Sequence, residues 1–326
     1  MAKKKRILYV YPYLSSFIEV DLNLLRDEFE VIPLQYRGKK DIFRLLKYII
    51  TTDLNVSWFA LGHATLAILF SRIFRKKSVI ITGGWDVVSM PEIGYGAMIG
   101  KKRIRKTCYA LKHACKVIAV SESTKSWVLK WVKRHDIIIL PLGFDAEKFV
   151  SKGLKEDMVV SVGRLANEVT IKVKGLDVFK NVSELLPNVK FVLIGKHDPK
   201  IANIWKAKAL PNFEIVDFLP ENKLIEYFQR AKVYAQLSYQ EAFGCAMAEA
   251  ILCGCVPVVT KRGGIPEVAG DVAYYVDYGD VKDTAEKIKE ALISDRGSEA
   301  RDRIVNHFPL KKRREKLTEI LYGCLE

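Results

Sequence analysis

The 326-residue sequence has no Cys-x-x-Cys pair, no Asp-x-Asp triplet, no short-period repeat and no low-complexity tract. Each absence removes a class of protein. Without cysteines at metal-ligand or redox spacing, Cys108, Cys115, Cys245, Cys253, Cys255 and Cys324 read as thiols in a reducing compartment, most of them packed as small hydrophobes. The longest run free of Asp, Glu, Lys and Arg, residues 54–71, carries Asn55, Ser57, Gly62, His63 and Thr65, so it reads as strand, turn and helix, not as a membrane span. At the basic start of the chain, only residues 7–10 are apolar before Tyr11-Pro12, too few for the core of an export signal. A cytoplasmic location is expected. Acidic residues are also scarce: 38 Asp plus Glu against 53 Lys plus Arg leave a formal charge of +15.

What is present describes a globular chain, 49% hydrophobic and 28% charged. Its length exceeds what a single core usually serves, so two domains are expected. Short β-branched runs at 7–10, 31–34, 56–60, 79–81, 117–120 and 137–140 alternate with amphipathic stretches. The rhythm repeats at 158–162, 190–194, 213–216, 233–237, 256–260 and 273–276. Alternation of this kind predicts two doubly wound parallel sheets of the α/β class. The turn-rich stretch from Pro141 to Asp157 marks the linker, giving domains 1–150 and 151–300 and a terminal helical segment 301–326 that could cap either.

Doubly wound folds bind ligands at the carboxyl ends of their strands. The strand at 158–162 runs into Gly163-Arg164-Leu165, which puts Arg164 there. Ten residues on, Lys174-Gly175-Leu176-Asp177 opens a helix, and the two cations suit a diphosphate. Glu241 and Glu249 bracket the start of an apolar helix. Their spacing corresponds to ~12 Å of rise, so they would grip separate parts of one elongated ligand, while the helix start at Phe243-Gly244 offers N–H donors to an anion. Blander roles are open to each: surface cations, a cap for Glu241, a paired core residue for Glu249. Asp277-Tyr278-Gly279-Asp280 has turn spacing, and no metal site is expected.

These segments together resemble the retaining glycosyltransferases of family 4, which have the GT-B fold, two Rossmann-like domains facing across a cleft. The resemblance rests on Gly163-Arg164-Leu165 with Lys174-Gly175-Leu176-Asp177, on Glu241-Ala242-Phe243-Gly244 through Glu249, on Gly263-Gly264-Ile265-Pro266-Glu267, and on Pro141-Leu142-Gly143-Phe144-Asp145. It is dense over 137–278 and thin before 78. Ala166 to Val173 makes the phosphate loop longer than in many members, and Lys172 competes with Lys174. The resemblance implies an N-terminal acceptor domain and a C-terminal donor domain. It implies that Arg164, Lys174 and the backbone at Phe243 and Gly244 hold the donor diphosphate, that Glu249 binds the ribose, that Glu241 contacts the donor sugar, and that Gly195, Phe218 and Leu219 flank the base. The implied reaction is metal-independent, cofactor-free transfer, with retention, of a sugar from a nucleotide sugar to a glycan or lipid-linked acceptor. The alternative is a noncatalytic protein or regulatory subunit that binds nucleotide sugar.

The N-terminal half departs from the family. Thr82-Gly83-Gly84-Trp85-Asp86 resembles its His-Gly-x-Asp segment but has Gly83 at the histidine position. His63 is the candidate to supply an imidazole and Asp86 to orient the acceptor, although a lone histidine is also a common structural residue. Tyr11-Pro12-Tyr13-Leu14-Ser15-Ser16 replaces the family's glycine-rich loop. Two basic clusters, Lys101 to Lys106 and Lys311-Lys312-Arg313-Arg314, are either solvated faces or sites of peripheral attachment to anionic lipid on the inner face of a membrane. Nothing resembles a nucleic-acid module, so no nucleic-acid partner is expected.

Overall fold

The computed structural model describes residues 4–326. Residues 1–3, part of the basic start read above as lacking an export signal, lie outside them. The chain divides into two compact units. The first comprises the chain up to Gly143 together with Leu310–Glu326, and the second comprises Phe144–Pro309.

In the first unit, strands β1 (Arg6–Tyr11), β2 (Glu30–Gln35), β3 (Leu54–Trp58), β4 (Lys77–Thr82), β5 (Lys116–Ala119) and β6 (Ile137–Ile139) form a sheet in the order β2-β1-β3-β4-β5-β6. Every pairing is parallel. Helices cover both faces, so β3 is buried at all five positions, which is why it reads as an unbroken apolar run. The long uncharged stretch resolves into β3 and the helix Gly62–Ile73. Strand order reverses between β1 and β3, and the loops after those strands flank the crevice at that switch point.

The second unit has β7 (Glu156–Val162), β8 (Lys190–Ile194), β9 (Phe213–Val216), β10 (Ala231–Gln236), β11 (Val256–Thr260) and β12 (Tyr274–Val276). They pair in parallel in the order β12-β11-β10-β7-β8-β9. Phe179, Phe191, Leu193, Val233, Val258 and Ile288 are central to its core. Here the order reverses between β7 and β10, the strands that precede Arg164 and Glu241.

The boundaries fall at 143 and 309 instead of 150 and 300, for identifiable reasons. The Phe144 N–H donates to the Phe308 carbonyl at 2.9 Å, and Phe144 also bridges to Pro309. Arg301 Nη2 donates to Ala146 O at 2.8 Å, and its Nη1 donates to Phe149 O and Leu252 O. These bonds tie 144–150 and 301–309 to the second unit. The last helix, Leu310–Leu325, belongs to the first. Its Arg313 is buried, holding Asp21 through Nε and Nη2 at 3.0 and 2.6 Å while Nη1 donates to Leu140 O at 2.6 Å. Arg314 pairs with Asp27 at 3.3 Å. The run 311–314 is therefore not the open basic patch expected from sequence, because one of its cations is interior and another is paired.

Candidate functional site

At the β7 end, Gly163 N–H donates to Ile194 O at 3.0 Å, and Leu165 donates to His197 Nδ1 at 3.2 Å. Leu165 also accepts from Asp198 N–H at 2.7 Å. Arg164 lies between these anchored residues, its side chain exposed and without an ion-pair partner among the described residues. It occupies the strand end that the sheet order designates for ligand.

The approach to Lys174 differs from the sequence reading. Residues 166–173 are not an open loop: Asn167 accepts from Thr170 N–H at 2.8 Å and caps a short helix, Glu168–Lys174. Lys174 therefore ends one helix before the next, Leu176–Leu185, begins. Gly175 joins them with φ +62°, and a Cβ there would stand 2.0 Å from Leu237 O, so only glycine allows the turn to pack under the β10 end. That packing brings Lys174 Nζ to 2.5 Å from Glu241 Oε2. Lys172 is exposed, and its carbonyl accepts from Tyr278 OH at 2.9 Å.

Glu241 is held from several sides. Gln236 Nε2 donates to its Oε2 at 3.3 Å and to Ser238 Oγ at 2.6 Å, while the Glu241 carbonyl accepts from Gly264 N–H at 2.8 Å. The following helix, Cys245–Leu252, starts at Gly244 with φ +94° and no side-chain cap, so Glu241 is not its cap. The end of a helix dipole is thus free to meet an anion. The Phe243 side chain is buried, with ring centroids 6.0 Å from Phe144 and 5.5 Å from Phe308, so any part it takes in anion binding is through its backbone.

Glu249, inside that apolar helix, is half-buried and has no side-chain hydrogen-bond partner among the described residues. Burial pushes its carboxyl up to about 8, with Glu221 adding to the rise and Lys148 opposing it. It is not the paired core residue that the sequence also allowed. Gly195 follows β8 and donates to Val216 O at 3.1 Å, while Phe218 after β9 is 72% exposed and Leu219 half-buried. Asp280 caps the helix Val281–Ile293 by accepting from Asp283 N–H at 2.9 Å, in keeping with a turn. No group of three or more His, Cys, Asp or Glu among the described residues is arranged to hold a metal ion.

In the first unit the side chains expected to act lie inside. His63 is 4% exposed, its Nε2–H donates to Trp58 O at 2.8 Å, and burial drives its imidazole down to about 4. Asp86 is wholly buried. Its carboxylate accepts from Ala60 N–H at 2.7 Å and Gly83 N–H at 3.1 Å, fastening the β3 loop to the β4 loop, and burial raises its pKa to about 6. Both residues hold loops in place instead of presenting a charge at the surface. The reason for Gly83 is steric: a Cβ there would lie 2.3 Å from Cε1 of Phe59. Phe59 has φ 65°, an uncommon conformation for a bulky residue, and its ring lies 5.5 Å from the half-exposed Tyr13. The Phe59 ring thus fills the space that a side chain at position 83 would need.

Sequence reasoning missed Phe59, Gln236 and His197. For His197 a signal existed, since it lies three residues beyond the end of β8, at the same sheet edge that singled out Arg164.

Residues 144–307, about half the chain and nearly all of the second unit, match the family of glycosyl transferases group 1. A relative from Arabidopsis thaliana, named as one of the subunits of phosphatidylinositol N-acetylglucosaminyltransferase, is 26% identical over 264 residues, 71% of this chain. The match spans only 58% of that relative's own length. N-acetyl-alpha-D-glucosaminyl L-malate synthase of Bacillus anthracis is 29% identical over 290 residues, 82% of this chain and 74% of that protein. Among solved structures, Anabaena HepE in complex with UDP-glucose superposes with a TM-score of 0.81 at 17% identity, covering 98% of this chain and all of that one. That likeness and the two parallel six-stranded sheets are those of the GT-B fold. The chain belongs to the glycosyl transferases group 1 family.

Proposed function

We propose that the protein moves a sugar from a nucleoside diphosphate sugar to a glycan or lipid-linked acceptor, with retention of anomeric configuration. One observation carries the reading. The switch point of the second unit gathers an unpaired Arg164, the Lys174–Glu241 pair, an uncapped helix start and the unpartnered Glu249. In this reading Arg164, Lys174 and the N–H groups at Phe243 and Gly244 take the diphosphate, Glu249 the ribose and Glu241 the sugar hydroxyls, while Gly195, Phe218 and Leu219 border the base. The acceptor oxygen bonds to the anomeric carbon on the face from which the diphosphate departs. The bond from that carbon to the phosphate oxygen breaks, and the acceptor proton passes to the leaving phosphate. Fixed cations and helix N–H groups stabilise the charge that develops there, so no metal is needed. His63 and Asp86 serve as positioning residues for the loops of the first unit.

The names of the relatives support this class of chemistry: the Arabidopsis protein is named for N-acetylglucosaminyl transfer, the Bacillus protein for synthesis of N-acetyl-alpha-D-glucosaminyl L-malate, and HepE is described with UDP-glucose. The test supplies purified protein with nucleotide sugars and acceptors, including membrane extract, in the presence of excess EDTA. Nucleoside diphosphate release and an α-linked product from an α-linked donor are expected. Donor binding without any release would instead favour a noncatalytic binding role, to which the aromatic filling at Gly83 and the burial of His63 lend weight.

The reading places the protein in the cytoplasm with peripheral attachment to anionic membrane. No helix among the described residues is long and apolar enough to cross a bilayer. The helix Lys101–His113 has no acidic residue, its Lys101, Lys102, Arg103, Arg105 and Lys106 are exposed, and Trp85 and Ile99 beside its start are 40% and 43% exposed. Cations beside exposed apolar side chains suit an anionic lipid surface. Co-sedimentation with anionic but not neutral vesicles is expected, and absence of binding to both would exclude docking.

A further inference from the structure

His197 is 9% exposed and makes two side-chain hydrogen bonds at the carboxyl edge of the second sheet. Leu165 N–H can only donate, so Nδ1 must present a lone pair to it at 3.2 Å. The Val216 carbonyl can only accept, so Nε2 must carry the proton at 3.0 Å. The neutral imidazole with hydrogen on Nε2 is therefore the form that fits. Val216 O also accepts from Gly195 N–H at 3.1 Å, and Gly195 leaves room for this closure because a Cβ there would stand 2.1 Å from Gly163 O. One side chain thus joins the loops after β7 and β8 to the carboxyl end of β9. It does so on the residue next to Arg164.

We infer that His197 is a positioning residue for the diphosphate-binding Arg164, acting through the Leu165 N–H···Nδ1 bond and coupling the phosphate loop to the β8 and β9 loops expected to border the base. The inference rests on the donor-site reading of Arg164 given above. If Leu165 N–H loses its acceptor, the peptide carrying Arg164 is free to rotate, and the guanidinium is no longer aimed by the fold. Protonation has the same effect, because an imidazolium presents an N–H to an N–H. Burial already holds the imidazole below its ordinary value, opposed by the charge of Asp217 after β9 and aided by Lys206 on the helix Pro199–Ala207. On its own loop Lys196 and Asp198 are adjacent in sequence.

Two conservative variants separate the two bonds. In His197→Asn the amide oxygen can stand where Nδ1 stands and keep Leu165, losing Val216; in His197→Gln the amide nitrogen can stand near Nε2 and keep Val216, losing Leu165. The full-length protein is titrated calorimetrically with UDP, GDP and ADP, and the nucleotide that the wild type binds tightest is used for every variant, with thermal unfolding as the check on folding. His197→Asn is expected to stay within about twofold of wild type, and His197→Gln to bind roughly tenfold more weakly, the equivalent of one lost hydrogen bond. In an Arg164→Ala background the Asn and Gln variants should no longer differ. Wild-type affinity should fall more steeply than that of His197→Asn as pH drops below 6.5, since the terminal phosphate of the nucleotide titrates in both and the imidazole only in the wild type. Equal weakening by Asn and Gln, or a difference that survives in the Arg164→Ala background, overturns the inference alone. If Arg164→Ala leaves affinity unchanged, or no nucleotide binds the wild type, the donor-site reading fails and takes this inference with it.

Discussion

Lys174 Nζ stands 2.5 Å from Glu241 Oε2, so the cation expected at the diphosphate and the carboxylate expected at the sugar are partners of each other. Their residues follow two adjacent strands, β7 and β10, and meet at the switch point between them. A phosphate that recruits Lys174 must compete with Glu241 for it.

Glu241→Gln should therefore release Lys174 and strengthen binding of a nucleoside diphosphate lacking sugar. The pair is partly exposed, so its worth is about 0.5–1 kcal/mol, or roughly two- to fivefold in affinity. The same variant should cut sugar transfer severely. Calorimetry with the diphosphate and a product assay on one preparation check both, and weaker diphosphate binding in the variant would show that Glu241 does not restrain Lys174.

Gly83→Ala should destabilise the protein by about 1–3 kcal/mol through overpacking against Phe59. The cost should shrink in a Phe59→Ala background, because the clashing ring is gone, and a double-mutant cycle in urea measures the coupling. Additive effects would mean that the ring and position 83 do not compete for space.

Arg313→Ala should cost about 3–5 kcal/mol, since it strands the Asp21 carboxylate in the interior and detaches the last helix from the first unit. Arg314→Ala, at a partly exposed pair, should cost no more than about 1 kcal/mol. Comparable urea midpoints for the two variants would contradict the distinction between them.

His63 yields a pH signature. Its folded pKa of about 4 lies below the unfolded value of 6.5, so the unfolded chain binds the proton first on acidification. The stability associated with the neutral, buried imidazole is present above pH 6.5 and is lost as pH falls toward 4, by at most about 3 kcal/mol. His63→Gln, whose amide can still donate to Trp58 O, lacks that slope. Urea melts of both proteins from pH 7 to 4 should therefore converge in the acid, and a constant difference would argue that His63 is not desolvated.

The strands were legible because parallel strands buried on both faces must be apolar throughout. Each of the twelve expected runs overlaps an observed strand, from β3, buried along its length, to the short edge strand β12. Arg164, Glu241 and Glu249 were legible for a related reason, since strand ends and helix starts can be counted along the chain. Relationships across distant sequence were not. Arg313 reads as one of four consecutive cations until Asp21, 292 residues away, is found beside it. The boundary at 143 depends likewise on Phe144 meeting Phe308. The helix at Glu168–Lys174 is hidden in the sequence because seven residues, three of them β-branched valine or threonine with one isoleucine besides, carry too little periodicity to outweigh a loop reading. Gly83 looks like a missing histidine, and only the position of Phe59 reveals why a side chain is excluded there.

A crystal structure of the protein with a bound nucleoside diphosphate sugar tests the central claim most directly. The diphosphate is expected beside Arg164 and the helix start at Gly244, with Lys174 turned from Glu241 toward phosphate, and the ribose hydroxyls on the Glu249 carboxylate. A nucleotide bound away from the β7 and β10 strand ends, with the Lys174–Glu241 pair intact, would contradict it.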